Sequence, residues 1–387
     1  MNSRPLRVLS LYDGFFVGGS RIVHTATVAG LHRSPEFNQE HRVISLTNKV
    51  QREYTVQHAV DTPSWSELQR AGVSIQALDR MPTSPWSATD FNQLREAIEW
   101  ADVVFSLKEQ PLVGLKALGE PLEKPLVVSL HRSDPENQGQ GTADLLDFHS
   151  SGELTRLVSC AESARDSYVD IGLPRELIEV IHNGVDLDKF RPSNDGWSSL
   201  REALGIQSQS PVVAIVARFD EMKNIPLFME SAGKFLQLHP DSHFLAVGAG
   251  MSKENAAFGD LMERFIPLEH WPQIHGLGIY PDVPSVYRAA DIVALTSAFG
   301  EAAPLCLLEA MACGAVPATT PVGDSALLVR KPQFTTNWDS SEIAQRWGEL
   351  FDAKEVHRAT IAEFREELGE VPMIRAFGRV LEGAARA

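Results

Sequence analysis

The stretch Val212-Val213-Ala214-Ile215-Val216-Ala217-Arg218-Phe219-Asp220-Glu221-Met222-Lys223-Asn224 decides the fold. Its apolar first half reads as a strand, its charged second half as a loop, and Pro226–Leu238 beyond it as a helix. The rhythm continues downstream. His243–Val247, Ile292–Leu295 and Val316–Thr319 read as strands, with Pro284–Ala290 and Pro304–Cys313 as helices between them; proline is favoured at the first helical position. Upstream, Val8–Leu11, Val43–Leu46, Val103–Ser106, Leu126–Leu130, Leu157–Ser159 and Ile178–Ile181 read as strands. Asp90–Trp100 and Glu162–Ile171 read as helices among them. Such alternation is the signature of α/β domains with parallel sheets covered on both faces. The turn-rich cluster Arg191-Pro192-Ser193-Asn194-Asp195-Gly196 separates the halves. The expected domains are therefore 1–190 and 191–368. Residues 369–387 follow, including an amphipathic helix over Val371–Ala387.

A chain of 387 residues is too long for one ordinary core, which agrees with two domains. Hydrophobic content of 43% and charged content of 22% are those of a globular protein. The formal net charge of −16 argues against a nucleic-acid binder and against a protein held on anionic lipid by a basic face. It suits a cationic acceptor, and it equally suits plain solubility. Cys160, Cys306 and Cys313 lack metal-ligand spacing and fit a reducing compartment. The apolar run Val8–Phe16 is broken by Asp13 and Gly14 and reads as a first strand and turn, not a targeting signal. Val212–Ala217 is far too short to span a membrane. A cytoplasmic protein without membrane association is expected.

Ligands of open parallel sheets bind beyond the carboxyl ends of the strands. After the first strand, Gly18-Gly19 precedes a helical stretch, where backbone N–H groups can approach an anion; a simple turn is the alternative. His131 ends the strand Leu126–Leu130, as a hydrogen-bonding group or as a satisfied structural histidine. Lys108 and Glu109 end Val103–Ser106 as candidate acceptor contacts or as a solvated pair. Arg218 and Lys223 could clamp a diphosphate, or could pair locally with Asp220 and Glu221. Glu301 begins a helix and Glu309 lies inside it, about 12 Å further along at 1.5 Å per residue. That spacing suits a sugar at one end, a ribose at the other and a diphosphate between. A carboxylate among Leu305, Leu307, Leu308 and Met311 needs a partner, either a ribose or a neighbouring side chain. Gly314 reads as the helix cap. No metal site stands out, so Arg218, Lys223 and backbone dipoles must neutralise a diphosphate.

Taken in order, these motifs resemble the retaining glycosyltransferases of family four, which have the GT-B fold of two Rossmann-like parallel-sheet domains facing a cleft. The resemblance covers roughly residues 6 to 325. It also includes Ile178–Asp186 with Phe190 and Pro192, and Val247-Gly248-Ala249-Gly250. Its most specific part runs from Tyr287-Arg288-Ala289-Ala290-Asp291 to Glu309-Ala310-Met311-Ala312-Cys313-Gly314. The resemblance implies that Arg218 and Lys223 bind the donor diphosphate and that Glu301, with the following Ala302 and Ala303, orients the donor sugar. It implies that Glu309 holds the ribose, that His131 sits near the sugar, and that the Gly18-Gly19 amides approach the phosphate or the acceptor. It further implies retention of configuration, no metal and no cofactor beyond the nucleotide-sugar co-substrate. The donor most common in the family is a UDP-sugar. A small soluble acceptor is expected, an aminocyclitol being one candidate. Two departures stand out. Ala302-Ala303 replaces the usual glycine after the first glutamate, and Ser325–Pro332 replaces a glycine-containing continuation. A silent nucleotide-sugar-binding protein and a nucleotide-sugar epimerase are the competing readings; the survival of both cations and both glutamates favours a transferase.

Overall fold

A computed structural model of the chain describes residues 4–52, 55–193 and 199–386. Asn194, Asp195 and Gly196 of the turn cluster, and Ala387 at the end of the expected last helix, lie outside the described residues. The chain forms two compact units, Met1–Asn183 with Glu370–Ala387, and Gly184–Gly369.

Unit 1 is built on β1 (Leu6–Tyr12), β2 (Gln39–Ser45), a hairpin of β3 (Lys49–Arg52) and β4 (Thr55–His58), β5 (Ser74–Ala77), β6 (Val103–Ser106), β7 (Leu126–Leu130), β8 (Leu154–Ser159) and β9 (Ile178–Val180). Apart from the hairpin, these strands form one parallel sheet in the order β5-β2-β1-β6-β7-β8-β9. Central strands such as β6 and β7 are buried at every residue, because helices cover both faces. The helix Gly19–Arg33 packs against the last helix, Glu370–Ala384. Gly30 permits this: a Cβ there would meet Ile374 Cδ1 at 2.7 Å. Phe377 stacks obliquely on Phe105, 5.6 Å between centroids, and Arg375 bonds Glu36 at 2.7 Å.

Unit 2 holds β10 (Val212–Val216), β11 (His243–Val247), β12 (Ile274–Gly278), β13 (Ile292–Leu295) and β14 (Val316–Thr319), all parallel, in the order β12-β11-β10-β13-β14. Pro226 and Pro284 lie in the first turn of their helices. Pro304 stands one residue earlier, as the N-cap of Leu305–Ala312. Trp347, fully buried, packs among Phe228, Phe235 and Phe244. Of the strands that periodicity misses, β5 and β12 are both sheet edges with half-exposed residues, so neither shows a continuous apolar run; the other two form the β3–β4 hairpin.

Candidate functional site

β10 and β13 are neighbours, so the loops leaving their carboxyl ends meet. Ala298 N–H donates to Met222 O at 2.8 Å, and Thr296 Oγ1 donates to Lys223 O at 3.0 Å. Asp220 Oδ1 accepts from Lys223 N–H at 3.1 Å and fixes the turn Glu221–Lys223. Thr320 Oγ1 donates to Ser297 O at 2.7 Å, which brings in the loop after β14. The loop after β11 joins through Phe219 N–H, which donates to Ala249 O at 2.8 Å.

This stitching carries Lys223 to Glu301. The ammonium bonds the carboxylate across 78 residues, and Ser297 Oγ donates to the same oxygen at 2.6 Å. Burial would lower the Lys223 pKa, but the charge and hydrogen bond of Glu301, together with Cys306 and Asp220, outweigh it and hold the ammonium above its ordinary value. Arg218 bonds Asp220 at 2.9 Å, with its side chain 35% exposed. Local pairing therefore holds for Arg218, whereas Lys223 passes over Asp220 and Glu221 to reach a residue on another loop.

Two glycines make these close approaches possible. Gly323 has φ +56, and a Cβ there would lie 2.0 Å from Glu301 O; beside it Asp324 N–H donates to Ala302 O at 2.9 Å. Gly248, at φ +135, passes equally close to Ala217 O. Ala302 and Ala303 are buried, and their segment runs into Pro304 and the helix. In the departing segment Ser325–Leu328 forms a short helix, and Arg330 takes a left-handed φ of 60. Cys306 lies within the helix Leu305–Ala312 and Cys313 caps it; both are buried free thiols. Gly314, at φ +85, follows Cys313 and ends the helix. Inside that helix Glu309 is buried, which raises its pKa, and Tyr287 Oη donates to Glu309 Oε2 at 2.6 Å. Sequence reasoning named Tyr287 only within the family-like run and did not mark it or Ser297 as a carboxylate partner, because nothing local ties a tyrosine 22 residues upstream to Glu309.

In unit 1, Gly18 is extended (φ 176) and caps the helix Gly19–Arg33 without a side-chain bond. The preceding loop is shaped by Arg21, a residue the motif reading did not single out. It is 1% exposed, bonds Gly14 O at 2.6 Å and Asp13, and lies over the Phe16 ring. His131 is held neutral: burial, then Lys108 and Arg21, push its pKa down to about 3, and its Nε2 has no hydrogen-bond partner among the described residues. Glu109 is turned inward, bonded by the Tyr168 hydroxyl and raised in pKa by burial, so of the Lys108–Glu109 pair the carboxylate is not presented outward. Among the described residues no cluster of three or more His, Cys, Asp or Glu could hold a metal ion, and no helix is long and apolar enough to cross a membrane.

Two parallel α/β units of this kind define a GT-B architecture. Anabaena HepE, solved with UDP and glucose, superposes with a TM-score of 0.80 at 17% identity, covering 98% of this chain and all of that one. Sucrose-phosphate synthase from Thermosynechococcus elongatus superposes at 0.73 and 15% identity, over 98% of each chain. Likenesses this distant speak to the fold alone. In sequence, the descriptions Glycosyltransferase Family 4 and Glycosyl transferases group 1 match residues 24–189 and 198–360 in succession. The chain belongs to this glycosyltransferase family. A D-inositol 3-phosphate glycosyltransferase of Mycobacterium sp. (strain JLS) is 32% identical over 248 residues, 61% of this chain and 49% of that relative. The chain thus spans about half the length of the curated relatives it matches.

Proposed function

We propose that the protein is a retaining glycosyltransferase that moves a hexose from a UDP-sugar to a hydroxyl of a small soluble acceptor. The observation that carries this reading is the meeting of the Arg218–Lys223 loop with the Glu301 loop at the carboxyl ends of neighbouring strands, Lys223 being bonded to Glu301, with Glu309 buried in the helix that follows. Arg218 and Lys223 would neutralise the diphosphate, Glu301 would bind hydroxyls of the donor sugar, and Glu309 would accept from the ribose. In the step itself the anomeric C–O bond to the diphosphate breaks. The acceptor oxygen bonds to the anomeric carbon on the same face, and its proton passes to a phosphate oxygen of the leaving group. Catalysis of this kind is positioning plus stabilisation of the departing charge. His131, kept neutral, would accept or donate a hydrogen bond near the sugar without adding charge. The HepE complex with UDP and glucose supports the choice of donor, and the inositol phosphate specificity named for the mycobacterial relative supports a cyclitol-like acceptor. No metal is required, since the two cations supply the charge.

The test is a thermal-shift screen of nucleotide diphosphate sugars, followed by transfer assays with cyclitol acceptors with and without EDTA. A donor at 100 times its dissociation constant should stabilise by about 2.7 kcal/mol. Transfer should survive chelation. Donor binding without turnover on any acceptor would favour a silent binding protein, and activity abolished by EDTA and restored by magnesium would overturn the account of leaving-group stabilisation.

A further inference from the structure

A carboxylate enclosed by apolar helix residues faces two hazards. It can take up a proton, and it can rotate. Either would spoil it as an acceptor for a sugar hydroxyl, because a protonated acid donates from one oxygen and accepts poorly at the other. Glu309 is in that situation, flanked by Leu307, Leu308 and Met311 and raised in pKa by burial. Tyr287 opposes both hazards. Its ring is fully buried on the helix Val283–Ala289, 6.1 Å from the Phe190 ring, and its hydroxyl donates to Glu309 Oε2 at 2.6 Å.

We infer that Tyr287 is a positioning residue for the nucleotide: its hydroxyl holds Oε2 of Glu309 so that the other oxygen, Oε1, is presented to a ribose hydroxyl. This rests on the donor-site reading above. The bond to Tyr287 also pulls the Glu309 pKa down against the effect of burial. Burial and the Glu309 charge in turn push the phenol pKa well above its ordinary value, so the phenol remains a donor throughout the working range. The other titratable group acting on Glu309 is Lys189, which favours its charge; Glu309 in turn helps raise the buried thiols Cys306 and Cys313, and Arg288, Arg365 and Asp282 also act on Cys313.

The experiment is calorimetric titration of UDP into the full chain between pH 5.5 and 9, for wild type, Tyr287→Phe, Glu309→Gln and the double variant. Tyr287→Phe keeps the ring and its packing. It should bind UDP about tenfold or more weakly, the scale of a hydrogen bond to a charged group. Its loss of affinity on acidification should begin at higher pH than in wild type, because Glu309 then protonates more easily. In the Glu309→Gln background the same change should cost little, since no carboxylate remains to be held. Wild-type affinity and pH profile in folded Tyr287→Phe would overturn the inference, as would a loss that adds in full to that of Glu309→Gln. Unchanged UDP affinity in Glu309→Gln would instead sink the underlying donor-site reading. Should Tyr287→Phe not fold, Glu309→Asp withdraws the charge from the phenol by one methylene. It should lose UDP affinity as Glu309→Gln does, and wild-type affinity there would equally overturn the assignment.

Discussion

At the carboxyl edge of the β10–β14 sheet the functional groups are charged and linked: Arg218 to Asp220, Lys223 to Glu301, Tyr287 to Glu309. The corresponding edge of unit 1 is organised differently. It too carries ion pairs, Arg21 with Asp13 and Arg132 with Asp134, but there Glu109 is turned inward to Tyr168 and His131 is neutral, its Nε2 without a hydrogen-bond partner among the described residues. The contrast fits a division of labour under the proposed function. A diphosphate is the same in every turnover and rewards fixed charges placed in advance. An acceptor hydroxyl needs hydrogen-bonding groups whose charge does not vary near neutral pH. The lesson is that neighbours decide what burial does: burial opposes the charge at both Lys223 and His131, but at Lys223 the adjacent acidic groups override it, whereas at His131 the nearby charges are the cations Lys108 and Arg21 and the ring stays neutral.

The largest expected effect tests the charged edge. Charge on the diphosphate grows as the glycosidic bond breaks, so Arg218 and Lys223 should bind the transition state more tightly than the ground state. Arg218→Ala and Lys223→Ala should each lower kcat roughly 10²–10³-fold, with smaller changes in KM. Arg218→Lys should not restore full activity, because a lysine cannot grip two oxygens at once. Near-wild-type kcat in both alanine variants, with circular dichroism showing a native fold, would reduce these cations to local partners of acidic residues and dissolve the contrast.

A smaller effect concerns the backbone beneath that edge. Gly323→Ala places a Cβ against Glu301 O in a left-handed conformation, and should cost roughly 1–3 kcal/mol in urea unfolding. Stabilisation by added donor should fall with it, because the carbonyl it displaces belongs to Glu301. A variant as stable as wild type would show that the loop can shift and that Glu301 is less rigidly held than the hydrogen bonds suggest.

The smallest effect per unit of change concerns histidines. In unit 1 burial depresses His131 and His41 to about 3, whereas the half-buried His275 of unit 2 is depressed to about 4. A group with a depressed basic pKa resists protonation when folded. Its stabilising contribution is complete above the unfolded value near 6.5 and is lost as pH falls from there toward the folded value, by about 1.4 kcal/mol per pH unit for each of the buried His131 and His41 and by less for the more exposed His275. Unit 1 should therefore open first in acid. Hydrogen exchange at pH 5 and pH 8, read separately over β1–β9 and β10–β14, checks this; earlier opening of unit 2 would contradict it.

The alternation of apolar runs and helical stretches was legible because burial on both faces writes a continuous apolar signature into strands such as Val103–Ser106, Leu126–Leu130, His243–Val247 and Ile292–Leu295, whose bounds match the structure. Arg218, Lys223, Glu301 and Glu309 could be singled out as candidates, since charged residues at strand ends or within an apolar helix stand out in one dimension. The hairpin and the edge strands Ser74–Ala77 and Ile274–Gly278 escaped, for lack of that double burial. What only the tertiary structure decided was partnership. Lys223 could have paired with Asp220 or Glu221 a few residues away. It reaches Glu301 because the sheet places β13 beside β10, which sets together two loops 78 residues apart. Tyr287 meets Glu309 for the same kind of reason: their helices pack on each other, and a contact between packed helices leaves no trace in spacing along the chain.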